Sequence, residues 1–501
     1  MSSEKKKRLL NCILFVLIFT FLSQGYRYLN LSYSGDSTFI FQGPDTLYQI
    51  SLGRFLQPVY WHIRGKIVAP FLICFFSTLF LCCSAFLVCT LLEINSPKDQ
   101  AAVCGILTTN ELISLSNATY MPWTDVYMLA LLLVILGIYL FTRLSNLLGF
   151  ILSVFCFSAS VALYPPYIAC ASTLYILYYL RLLFNDHPLS EIWKKGSLSI
   201  LSLAAGLLFY AAILRLVLAS YGIQASQEYN GVGRLQELTF SSLLKTVPSV
   251  YSIPVQYFFN PWNRQIIPSH RTIIPAWINL ILLLFILIQT AAHSRRFSKG
   301  RRATMLFLFL LLPFAMNFVV LISDGIVNGL MIYAFFFFYL LPLLFPHSSF
   351  RFSSNISSCF LFILIAVNIA VGNQLAIKRD LEYKATLSAM TRILDDAEQI
   401  PEYLPGSTPV YIHGYLPSSK ISMPRDGFDR LSAMQGVRYT YSASYEISTM
   451  YYLKQILNDP IVFCDAQQQQ KLLASHSLNT LPKYPDAGYI TMLDGILVIR
   501  L

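Results

Sequence analysis

Residues 67–92 read IVAPFLICFFSTLFLCCSAFLVCTLL, an apolar run without a charged side chain. A helix needs ~20 residues to cross ~30 Å of hydrocarbon, so this stretch is long enough to span a bilayer. Residues 125–142, 197–219, 273–292, 303–322 and 326–346 are runs of the same kind. Because lipid offers backbone amides no partner, each is read as a helix. Weaker runs at Leu9 to Leu22, 101–116, 147–164 and 167–184, and a last one ending near residue 372, bring the expected count to about eleven.

Composition agrees with that reading. The 501 residues are 55% hydrophobic and only 12% charged, too few charges to give a soluble chain of this size an ordinary polar surface. The net charge of +11 sits in short clusters flanking the apolar runs, as membrane orientation requires, and implies no nucleic-acid partner. Nine of the ten cysteines lie in apolar segments, where thiols act as small hydrophobes, so no disulfide framework is implied. The seven histidines show no paired spacing that would build a zinc site.

Lys5, Lys6, Lys7 and Arg8 place the N-terminus in the cytoplasm, and the poor cleavage site after Leu22 favours a retained first helix. Alternating from there puts the basic loops on the cytoplasmic side: Lys98, Arg143, Lys194 with Lys195, Arg295 to Arg302, and Arg351. The opposite side receives residues 25–66, residues 220–271 and everything after about residue 373. The sequence therefore predicts a polytopic transmembrane domain over 1–372, with long outer loops 25–66 and 220–271, and a small α/β domain over 373–501. In the latter, 376–399 reads as an amphipathic helix. Pro409 to Tyr415, Pro460 to Cys464, Tyr489 to Leu493 and Ile496 to Leu501 read as strands, with Asp494-Gly495 a hairpin turn.

Two outer loops are long enough to carry chemistry. The first holds Asp36, Asp45, Arg54, His62, Arg64 and Lys66, of which Arg54, Arg64 and Lys66 are the expected phosphate-binding cations. A carboxylate at the lipid–water boundary can deprotonate an acceptor hydroxyl, and a guanidinium beside it can bind a departing phosphate; Asp36 and Arg54 are the pair chosen for those roles. The plainer reading makes Asp36 and Asp45 turn residues, in Ser34-Gly35-Asp36-Ser37 and Gly43-Pro44-Asp45-Thr46. The second loop carries Arg264 and Arg271 as further phosphate-binding cations and an aromatic cluster, Tyr257, Phe258 and Trp262, expected to touch lipid or acceptor. Simple interfacial anchoring explains the same rings. Glu111, inside the weak 101–116 run, is either buried and paired or the mark of a re-entrant span, and Asp125 reads as a helix-end residue.

The order of these parts, Gly35-Asp36, Gln42-Gly43, then Gly53-Arg54-Phe55-Leu56-Gln57-Pro58 leading into a long helix, resembles the serotype-converting O-antigen glucosyltransferases of bacteria and their prophages. Tyr164-Pro165-Pro166-Tyr167-Ile168 and the ending from Tyr484 through Ile499 add to the likeness. The resemblance implies a GT-C type membrane enzyme of the bacterial inner membrane. It would move a glucosyl or other hexosyl unit from a polyprenyl-phosphate carrier to lipopolysaccharide O-antigen on the periplasmic side. It implies Asp36 as base and Arg54 as the motif arginine. Here the family's acidic pair is reduced to Gly35-Asp36 and its Gly-Arg-Trp carries Phe55, which keeps Asp45 as a rival base. Implied companions are a flippase and a polyprenyl-phosphate glucosyl synthase of the same pathway. No cofactor is called for, and a divalent ion is not indicated. The rival readings are a transporter or flippase for a lipid-linked sugar, and a polymerase or ligase acting on the glycan.

Overall fold

The computed structural model describes residues 3–30, 32, 45–144, 146–226, 239–259, 276–321, 323, 327–345, 351–414 and 452–501. Among these, eight helices are long and apolar enough to cross a membrane. They begin with α1 (Ser3–Leu29). Two short helices of the first interhelical segment follow, α2 (Thr46–Ser51) and α3 (Leu56–Ile63), and then α4 (Pro70–Leu91). The apolar faces point outward: Leu14, Phe21, Leu208, Leu216 and Leu284 are all exposed, whereas serines, asparagines and charged groups are buried. That inversion of a soluble protein's surface suits a lipid surround.

The 101–116 run is not one span. It is two helices, α5 (Pro97–Thr109) and α6 (Glu111–Thr119), broken at Asn110. The Asn110 side chain holds the break from both sides. Its Oδ1 accepts from Ile113 N (3.2 Å) to cap α6, while its Nδ2 donates to the Ile106 and Leu107 carbonyls that end α5 (3.0 and 3.2 Å). Every residue of α6 is buried.

The remaining helices are α7 (Thr124–Arg143), α8 (Asn146–Leu163), α9 (Ile168–Phe184), α10 (Leu189–Tyr221), α11 (Phe240–Phe259), α12 (Ala276–Ser294), α13 (Lys299–Asn317) and α14 (Arg351–Glu398). α8 and the predicted 326–346 run are shorter than the eight spans; the latter contains a fully buried 3-10 stretch, Tyr333–Leu344.

Basic side chains collect at one end of the bundle. Arg8 donates to Asn95 and to Thr90 Oγ1, Arg143 to Thr90 O, Arg181 to Leu344 O, Lys98 to Asn355 Oδ1, and Arg301 to Leu183 O. The opposite end, here the loop end, carries α2, α3 and the α8–α9 turn. The chain passes from the basic end to the loop end through α5 and α6 together.

α14 is a single 48-residue helix that runs through residue 373 without interruption. The change of composition there marks a change of surroundings along one helix, not a break. Gly372 does not end it: a Cβ at that position would lie 2.7 Å from Ser23 O, so glycine allows close approach to α1. Beyond it, Tyr26 Oη donates to Asp380 Oδ2 (3.0 Å) and Arg379 donates to Thr119 Oγ1 (3.2 Å), tying α14 to α1 and α6.

The C-terminal half of α14 packs on a four-stranded sheet of order β2-β1-β4-β3, with β1 (Pro409–His413), β2 (Val462–Phe463), β3 (Ile490–Leu493) and β4 (Ile496–Arg500). β1 is parallel to β2 and β4, and β3 and β4 form the expected hairpin, with Asp494 and Gly495 both at positive φ (50° and 76°). Ala389, Met390, Ile393 and Ala397 of α14 join Val410, Ile412, Leu497 and Ile499 in the core of this unit. A short helix, α15 (Ala466–Ser475), follows β2; its N-terminus is capped by Asp465.

Candidate functional site

At the loop end, Gly53-Arg54-Phe55 forms the turn between α2 and α3. Gly53 has φ +80°, a conformation that costs other residues roughly 1–2 kcal/mol, so the turn requires glycine. Tyr210 Oη, from α10, donates to Gly53 O (2.8 Å), and Phe55 stacks on the Tyr210 ring at 5.9 Å. Gln57 Nε2 donates to Leu163 O (2.7 Å), so the turn is bound to α8 and α10 together.

Arg54 stays half-buried, its guanidinium carbon 5.2 Å from the centre of the Tyr164 ring. Tyr164 is extended (φ −153°, ψ 100°), as a residue before proline must be, and its ring is backed by Tyr127 (4.6 Å) and Tyr167 (5.4 Å). The result is a cation held on an aromatic floor.

Arg64 is placed quite differently. Its Nη1 lies 2.5 Å from Asp125 Oδ1 and also donates to Pro122 O (2.7 Å), and both side chains of the pair are fully buried. Tyr60 Oη donates to Asp125 Oδ2 (2.9 Å), Val126 N donates to Asp125 Oδ1 (3.1 Å), and the Trp61 ring lies 4.5 Å from the guanidinium. Arg64 therefore fastens α3 to the start of α7. Burial, with the Asp125 carboxylate beside it, holds the Tyr60 hydroxyl protonated well beyond its usual range.

Lys66 is exposed at positive φ (59°), where its N–H closes the α3 turn on Trp61 O (3.0 Å). Asp45 is exposed and caps α2: its Oδ1 accepts from Leu47 N (2.9 Å) and Tyr48 N (3.1 Å). Asp36, Trp262, Arg264 and Arg271 lie outside the described residues.

Tyr257 and Phe258 are buried inside the bundle rather than set on its surface. Tyr257 packs edge-on to Phe335 (5.4 Å), Phe258 lies 4.8 Å from Phe338, and Tyr257 Oη donates to Glu111 Oε2 (3.2 Å). Glu111 is thus buried and paired beside a broken helix, so both halves of its sequence reading meet in one place. The long loops also meet each other, since Ser226 N donates to Ser51 O (2.9 Å).

Asp125 and Tyr210 were not legible as site supports. Asp125 carried a helix-end signal only, and Tyr210 sits in an apolar run with no mark at all. Among the described residues no three His, Cys, Asp or Glu side chains are grouped to hold a metal ion.

A family model described as Glucosyl transferase GtrII matches residues 25–347, which takes in the Gly53-Arg54-Phe55 turn, the Tyr164 floor and the Arg64–Asp125 pair and leaves the sheet unit outside. No curated protein and no solved structure matches the chain.

Proposed function

The chain belongs to the GtrII glucosyl transferase family, and from that premise we propose that it transfers a hexosyl unit from a polyprenyl-phosphate carrier to O-antigen, at the loop end of the bundle, on the periplasmic side of the inner membrane. The observation that carries this reading is the state of Arg54. Its guanidinium is held half-buried against the Tyr164 ring by a turn anchored to two helices. A fixed guanidinium at the bilayer edge suits the phosphate that leaves as the sugar is transferred.

In this reading Asp36 is the base. The acceptor hydroxyl gives its proton to the carboxylate and attacks the anomeric carbon; the bond to the phosphate oxygen breaks, and the anomeric centre inverts. Asp45 is the weaker choice because its Oδ1 already holds the first turn of α2. With the basic end of the bundle toward the cytoplasm, the loop end and the sheet unit face the periplasm.

Purified protein in detergent, given a polyprenyl-phosphate hexose and acceptor glycan, is expected to transfer the sugar, and Asp36→Ala to abolish transfer while the protein remains in the membrane. Full activity of Asp36→Ala removes Asp36 from the mechanism. The break at Asn110 beside buried Glu111 favours a second reading, movement of a lipid-linked sugar, because discontinuous helices with intramembrane acids line transporter sites. Movement without transfer, seen only in sealed vesicles, would establish that alternative.

A further inference from the structure

A cavity of about 440 Å³ lies between α9, α10 and α13. Its α13 wall runs from Thr304 to Phe318, a length of about 20 Å at helical rise, so it extends through much of one bundle face. The lining is apolar. Ser172 and Ser199 face it, but their hydroxyls donate to the carbonyls of Ala315 (2.8 Å) and Gly196 (2.7 Å), and Thr304 donates to Gly300 O (3.0 Å). A Cβ built on Gly196 meets nothing within 4 Å, so the wall there faces open space.

The loop end of the cavity lies beside the elements that hold the Arg54 turn. The α10 face that lines it at Leu203 and Leu207 continues one turn further to Tyr210, whose hydroxyl holds Gly53 and whose ring carries Phe55. On α9 the lining starts at Ile168, directly after the Tyr164-to-Tyr167 turn that carries Arg54. A long apolar slot within the membrane, whose loop end lies beside the helices that seat a guanidinium, is complementary to a linear hydrocarbon chain ending in phosphate. We propose that the α9–α10–α13 cavity seats the isoprenoid chain of the donor, with its phosphate at Arg54. This rests on the donor class given above and adds where the chain lies and why a long one is preferred.

Two measurements test it. Ala204 lines the cavity, whereas Leu216, nine residues beyond the lining residue Leu207 and so on the opposite side of the same helix, is 72% exposed. Relative to wild type, Ala204→Trp is expected to lower the kcat/KM ratio of a long-chain over a short-chain isoprenyl-phosphate hexose by at least about ten-fold, while Leu216→Trp leaves that ratio unchanged. An unchanged ratio in a folded Ala204→Trp protein overturns the proposal.

Independently of transfer, wild-type protein in nanodiscs is labelled with a polyprenyl phosphate bearing a photoreactive group in its chain. Labelled peptides from the α9, α10 and α13 lining, protected by unlabelled polyprenyl phosphate but not by phosphatidylglycerol, support the site. Labelling elsewhere, or equal protection by phosphatidylglycerol, overturns it. Groove labelling in a protein that transfers no sugar supports the chain site while removing the enzymatic reading, so the two failures are told apart.

Discussion

Arg64 Nη1 and Asp125 Oδ1 lie 2.5 Å apart with both side chains fully excluded from solvent, joining the first interhelical loop to the head of α7. The pair has little to gain in stability over two well-packed apolar groups, because desolvating both charges offsets most of their attraction. It has much to lose if one charge is left alone. What the pair supplies is position: α3, and with it the Arg54 turn, has a single seat on the bundle.

The first prediction follows directly. Arg64→Ala or Asp125→Ala leaves a buried charge uncompensated and is expected to destabilise the protein by roughly 3–5 kcal/mol, whereas the double variant Arg64→Met/Asp125→Leu recovers most of that loss. Thermal midpoints of the three variants in one detergent check it. A double variant no better than the worse single one would show that the two residues act separately.

A second prediction concerns the Arg54 turn. Gly53→Ala forces a side chain into φ +80° and is expected to cost about 1–2 kcal/mol, and Tyr210→Phe removes one hydrogen bond worth about 1 kcal/mol. Both are expected to raise the KM for the lipid donor more than they lower kcat, since they shift the guanidinium and leave the base untouched. Unaltered donor KM in both variants would detach this turn from donor binding.

Replacing Arg54 itself separates charge from shape. Arg54→Lys keeps the cation but loses the planar fork and its stacking on Tyr164, so donor KM is expected to rise in the order wild type, Lys, Ala. Lysine performing as well as arginine would mean that only the charge matters.

The two loop aspartates are distinguished by a fourth prediction. Asp45→Ser retains a side-chain oxygen for the α2 cap and is expected to preserve both stability and transfer; Asp45→Ala loses about 1 kcal/mol and still transfers sugar. Asp36→Asn abolishes transfer without lowering the thermal midpoint. If transfer is lost in Asp45→Ser and kept in Asp36→Asn, the assignment is reversed.

Hydrophobic length alone identified most of the helices, since a run without charges has few stable arrangements other than spanning lipid. The hairpin at Asp494-Gly495 and the alternation around it likewise specified β3 and β4, because only certain residues tolerate two successive positive φ values. Both are local properties, and a sequence states them directly.

Which arginine is buried and which is left half-open was not local. Arg54 and Arg64 sit in one short loop and look equivalent in the sequence; the difference comes from Asp125 and Tyr164, brought to them by other helices. Tyr257 and Phe258 read as interfacial anchors because aromatic rings suit both a headgroup layer and a core, and the 333–344 segment decided for the core. Nor could the composition change at 373 reveal that one helix carries through it: a helix backbone is satisfied within itself and passes from lipid to water without needing a break.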